Sequence, residues 1–110
     1  MNLPNAENAI VPPEKLTDYL LSKSHLVGRW KASFFRSLGF SETNVNELKD
    51  ALIDVAKRGE VKSTTTSVFG IKYEVEGTIL APNGKVAVIV TVWVIETKEV
   101  LPRLVTAYPA

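Results

Sequence analysis

His25 is the one side chain in this 110-residue sequence with an ordinary pKa near neutral pH. It can therefore act as a general acid or base without a metal. Its company is cationic: between Tyr19 and Ser41 lie Lys23, His25, Arg29, Lys31 and Arg36, and no carboxylate. The next stretch, residues 42–54, holds Glu42, Glu47, Asp50 and Asp54 against Lys49 alone. Charge runs of this kind are most often solvated faces, here paired across adjacent helices. The functional alternative is an anion site, because cations beside a loop and a helix start can hold a phosphate. Helical periodicity sends Arg29 and Lys31 to different sides, so Lys23, His25 and Arg29 are the residues expected to converge. A lone loop histidine is commonly just a polar surface residue; its place among cations tilts the balance toward chemistry.

A second polar set lies in the latter half of the chain. Lys72, Glu74 and Glu76 alternate with apolar residues, which puts a cation and two carboxylates in a row about 7 Å apart on one strand face. The default meaning of such a row is a solubilising outer face. Thr91 and Trp93 share one side of the following strand, where Trp93 reads better as core than as a base-stacking platform. Thr106 and Tyr108 also point the same way, a pairing that strands often show for conformational reasons alone.

Other chemistries are excluded. No GxGxxG or GxxxxGK[ST] pattern marks a nucleotide-phosphate loop, and no HExxH or Asp ladder marks a metal site. The absence of cysteine removes disulfides, thiolate zinc sites and thiol nucleophiles, and one histidine forbids a multi-His site within the chain. No cofactor is expected. A formal charge of +1 is too small for gripping nucleic acid by bulk electrostatics.

The elements that must position these residues follow from the hydrophobic pattern. Residues 1–13 are polar, with three prolines, and read as an irregular lead-in. Pro13 suits the first position of a short helix over 14–21, with Leu16, Tyr19 and Leu20 as its apolar side. A second helix is predicted over 29–38, burying Trp30, Phe34, Phe35 and Leu38 and capped by Gly39. A third starts at Asn44, with Glu47 in the capping-box position, and carries Leu48, Leu52 and Val55 as one stripe to Gly59. The period then changes to two. Strands are predicted over 61–68, 71–76, 86–95 and 103–108, with Asn83-Gly84 as a hairpin turn. Helices followed by strands imply one α+β domain over 1–110: about three N-terminal helices on one face of a roughly four-stranded antiparallel sheet. Ile71, Tyr73 and Val75 should lie beneath the helices. The longest apolar run, 86–95, is half of what a membrane-spanning helix needs, and no signal peptide opens the chain; a cytoplasmic protein is expected.

The order His25, Gly28-Arg29-x-Lys31-Ala32, Phe35, Leu38-Gly39-Phe40, then Lys72-Tyr73-x-Val75-x-Gly77, Trp93-Val94-Ile95-Glu96 and the ending 102–109 resembles a bacterial family of small domains of unknown function. The layout and its Thr-Ala-Tyr-Pro ending are also similar to the barnase, EndoU, colicin and RelE-like group of metal-independent RNases. That resemblance implies a toxin-like endoribonuclease, in which the RNA 2′-hydroxyl attacks the adjacent phosphate. It would make His25 the acid or base, Lys31 and Lys72 the phosphate cations and Arg103 a further cation. Lys23 and Arg29 would hold the nucleic acid. Thr106 would hydrogen-bond the scissile phosphate, and Tyr108 would stack or donate a proton. RNA and a cognate antitoxin-like protein are the partners this reading admits. The alternative is a non-catalytic interaction module that binds a partner protein. Whether His25, Lys72 and Thr106 share one cleft separates the two.

Overall fold

The computed structural model describes residues 1–22 and 29–110, with Arg29 described in its backbone alone. Among the described residues, and besides 3-10 turns at Ala6–Asn8 and Glu42–Asn44, three helical segments precede the sheet: α1 (Pro13–Lys15), which runs on into a π turn (Leu16–Leu20), α2 (Arg29–Ser37) and α3 (Val45–Arg58). The strands β1 (Glu60–Ser67), β2 (Gly70–Leu80), β3 (Val86–Glu96) and β4 (Arg103–Pro109) form an antiparallel meander in the order β1-β2-β3-β4. The fold is α+β, as the change of hydrophobic period implies.

Pro13 opens α1, where its missing N–H costs little. The π turn then buries Leu16 and Leu20 and leaves Tyr19 half-exposed beside them. The second helix corrects one expectation. Its buried stripe is centred on Phe35, with Ala32 and Leu38, while Phe34 is only half-buried and Trp30 is 54% exposed. Trp30 lies more than a turn from Phe35 and on the other side of the helix. Lys31, four residues before Phe35, is instead carried onto the buried side. Gly39 ends the helix at φ +100°, as a left-handed cap should.

Asn44 stands at the N-cap of α3, as expected, but its side chain makes no cap bond to that helix. Its Oδ1 accepts from the Ser41 N–H at 2.7 Å, while Ser41 Oγ accepts from the Thr43 N–H and caps the 3-10 turn Glu42–Asn44 that leads in. Leu48, Leu52, Val55 and Ala56 then face β2. The Asn83-Gly84 turn is a three-residue loop over 82–84 closed by the Ala81 N–H on the Lys85 carbonyl, with Gly84 at φ +85°.

The inner sheet face carries Tyr73, Val75, Ile79, Ile89, Thr91, Trp93, Leu104 and Ala107, all in the core. Ile71, expected with them, lies near the hairpin end and is partly exposed. Trp93 is fully buried, and its Nε1–H donates to Thr91 Oγ1, whose own hydroxyl donates to the Val75 carbonyl. Trp93 is core, as its position suggests. The lead-in packs too: Leu3, Ala6 and Val11 are buried, and Ile10 bridges β4 at Arg103.

The register fixes the outer face as three rows. Lys72 pairs with Val94 and Val94 with Arg103; Glu74 with Val92 and Val92 with Thr106; Glu76 with Val90 and Val90 with Tyr108. A valine stripe therefore runs between a charged strand and a strand bearing Arg103, Thr106 and Tyr108. A bulge between Val92 and Trp93 keeps Thr106 and Tyr108 on this face.

Candidate active site

Where α2 and the π turn pack along β4, one cation meets four polar or aromatic groups. Lys31 is 9% exposed. Its ammonium donates to the Tyr19 hydroxyl at 2.7 Å and to Thr106 Oγ1 at 2.9 Å. Thr106 in turn donates a longer bond, 3.4 Å, to Tyr19. Three rings surround the same ammonium, with centroids at 5.1 Å for Tyr19, 5.5 Å for Trp30 and 5.9 Å for Tyr108. A lysine brings three N–H donors, and these two bonds use two of them.

The two phenols are pushed in opposite directions. Burial by itself would raise Tyr19, but the hydrogen bonds from Lys31 and Thr106 and the charges of Lys31 and Lys15 outweigh it and hold the phenol below its ordinary value. Donors that converge on an oxygen strengthen as it loses its proton, so Tyr19 is prepared to become an anion. Tyr108 is raised, first by burial and then by the Glu74 carboxylate across the valine stripe. Tyr108 is thus held neutral while Tyr19 is made more acidic.

The expected site residues divide into groups. Lys31, Thr106 and Tyr108 come together, although periodicity argued against Lys31 joining a cluster with its neighbours; placing Phe35 at the centre of the buried stripe turns Lys31 inward. Lys72 shares the sheet face with Thr106 but lies two strands away and one row along, roughly 10 Å or more. Arg103 lines a separate pocket of about 250 Å³ with Glu96, Glu99, Val94 and Ile10, so carboxylates are its neighbours. Arg36 leaves the cationic set altogether. It donates to the Leu21 carbonyl at 2.6 and 2.9 Å and forms an ion pair with Glu42, which ties α2 to the start of the acidic stretch. Lys23, His25 and the Arg29 side chain lie outside the described residues. Tyr19 and Trp30 are the residues that sequence reasoning missed. Both had been placed on apolar helix faces, and the available sign was that the carboxylate-free window opens at Tyr19.

An α+β domain with a buried lysine bonded to a phenol and a threonine at the edge of its sheet is the class of protein defined here. The family described as Domain of unknown function (DUF6883) matches residues 2–110; the chain belongs to this family. No curated protein matches it. Among solved structures, the fold is similar to a chain in the contact-dependent growth inhibition toxin–immunity protein complex from Klebsiella pneumoniae 342. The TM-score is 0.74, 96% of each chain is covered, and the identity is 20%. At that identity the likeness is one of fold. Among the described residues, no helix is long and apolar enough to cross a membrane.

Proposed function

We propose that this chain, as a single domain over 1–110, is a toxin-like endoribonuclease that works in the cytoplasm by metal-independent transesterification. The observation that carries the reading is the convergence of Lys31, Tyr19 and Thr106 on one point beside Tyr108. Cleavage of this type needs a cation at the phosphate, a base at the 2′-oxygen and an acid at the leaving oxygen. Lys31 supplies the cation through its third N–H, and Thr106 orients the phosphate by turning its one O–H from the long bond to Tyr19 onto a phosphate oxygen. His25 takes the 2′-hydroxyl proton as the oxygen attacks phosphorus. The bond from phosphorus to the 5′-oxygen then breaks, and Tyr19 gives its proton to that oxygen. The products are a 2′,3′-cyclic phosphate and a 5′-hydroxyl. Against its burial, the bonds from Lys31 and Thr106 and the nearby lysine charges lower the Tyr19 phenol, which makes its proton easier to give to the leaving oxygen.

Lys72 and Arg103 serve the flanking phosphates in this reading, and Lys23 and Arg29 the approach of the strand. The fold likeness to a chain of a toxin–immunity complex supports the toxin-like part and an antitoxin-like protein partner. A non-catalytic module that binds a partner protein has its own supporting observation: Val68 and Phe69 stand fully out at the β1–β2 hairpin tip. Purified protein incubated with total RNA and EDTA separates the two. The enzyme reading expects cleavage by the wild type and none by His25→Ala at an unchanged melting temperature. RNA left intact by the wild type defeats it, and equal cleavage by His25→Ala defeats the assignment of the base.

A further inference from the structure

Trp30 is the one large aromatic among the described residues of α2 that the core does not take. The residue is more than half exposed, on the first turn of the helix, with the Lys31 ammonium 5.5 Å from its ring centroid. Tyr108 presents a second ring 5.9 Å from the same nitrogen, from the end of β4. One cation is thus shared by an exposed ring on a helix and a half-buried ring on a strand. A nucleotide has the matching parts: an anionic phosphate and, one ribose away, a flat ring with a π-face. Base stacking on an exposed aromatic ring is sequence-tolerant and strong for its area. The carboxylate-free stretch from Tyr19 to Ser41 adds the charge match, since a polyanion would meet no repulsion from this segment.

We propose that Trp30 is the stacking platform for the nucleobase of a nucleotide whose phosphate is held at Lys31. The proposal rests on the ribonuclease reading and deepens it, because it names the residue that seats a base next to the scissile phosphate. Tyr108 borders the same nucleotide on its sheet side. Trp30 is a positioning residue: it acts on binding, not on proton transfer.

The chain contains its own reporter. It has two tryptophans, and Trp93 is fully buried against Thr91, so ligand-dependent emission belongs to Trp30. A short 2′-deoxy oligonucleotide is the probe, since it has phosphates and bases but no 2′-hydroxyl to attack, and binding is read without turnover. Saturable quenching of tryptophan emission is expected, with little change from inorganic phosphate at equal concentration. By fluorescence anisotropy of the labelled oligonucleotide, Trp30→Ala should bind about 5- to 150-fold more weakly, and Trp30→Phe should recover part of the loss. An exposed position makes both variants foldable, which circular dichroism checks. Equal affinity of Trp30→Ala overturns the proposal. Quenching by phosphate as strong as by the oligonucleotide also overturns it, and no quenching at all does so while leaving Trp30 to a protein partner. The two levels fail separately. Trp30-dependent binding without RNA cleavage defeats only the ribonuclease reading; cleavage by Trp30→Ala at the wild-type KM defeats only the platform.

Discussion

Lys31→Met removes a charge while keeping most of the buried aliphatic stem, so it isolates what the ammonium does. Two hydrogen bonds disappear, 2.7 Å to Tyr19 and 2.9 Å to Thr106, together with three cation–ring contacts. A hydrogen bond from a charged donor contributes ~1.5–3 kcal/mol, but Tyr19 and Thr106 are half-exposed and regain water when the lysine is gone. Methionine also avoids the cost of keeping an ammonium out of water. The net loss should be about 1–3 kcal/mol, read as a lower denaturation midpoint at an unchanged slope. The sharper consequence is at Tyr19. Burial raises its phenol, and the bonds from Lys31 and Thr106 and the charges of Lys31 and Lys15 lower it. With the lysine bond and charge gone, Thr106 and Lys15 alone oppose burial, so the titration must move upward. NMR of ring-labelled tyrosine follows the phenols: in the wild type Tyr19 titrates below the ordinary value and Tyr108 above it, and in Lys31→Met Tyr19 moves up. In an active enzyme the alkaline limb of the rate profile, where the acid loses its proton, moves up with it. A Tyr19 titration identical in both proteins would refute the coupling on which the site is built.

Two further substitutions test the frame that holds the cluster. Leu52→Ala empties a fully buried position between α3 and β2 and should cost ~2–5 kcal/mol in chemical denaturation; an unchanged midpoint would mean that α3 faces elsewhere. Thr91→Val keeps the shape but orphans the buried Trp93 N–H, which then lacks its acceptor; a loss of about 1–3 kcal/mol and a shifted tryptophan emission are expected, and neither change would place Trp93 outside the core.

The strands were readable because their physics is local. Alternation of Tyr73 and Val75 with Lys72, Glu74 and Glu76 needs only one buried face, and Gly84 marks its turn by the φ that only glycine adopts freely. The helix end at Gly39 was readable for the same reason, whereas Gly59 has an ordinary φ and ends α3 where a Cβ would come within 2.6 Å of the Val55 and Glu76 carbonyls. Asn44 was readable as the N-cap position of α3, but its side chain turns back to the Ser41 N–H within the 3-10 turn that precedes the helix. The cluster was less legible. Whether Lys31 faces in or out depends on which of two adjacent phenylalanines the core selects, and that is decided by the sheet, far along the chain. The bulge at Val92 and Trp93 likewise sets the side on which Thr106 and Tyr108 emerge, and no residue pattern announces it. Tyr19 looked like an ordinary member of an apolar stripe. Its partners, Lys31 and Thr106, lie 12 and 87 residues away in sequence.

The central claim is tested most directly by the chemistry of the cut ends. Total RNA is incubated with the protein in EDTA, and the termini are mapped by their response to enzymes that distinguish cyclic phosphates from free hydroxyls. Transesterification through Lys31, Tyr19, Thr106 and His25 leaves 2′,3′-cyclic phosphates and 5′-hydroxyls, with Lys31→Met slower by at least tenfold. Intact RNA, or fragments ending in 3′-hydroxyls and 5′-phosphates, would contradict it.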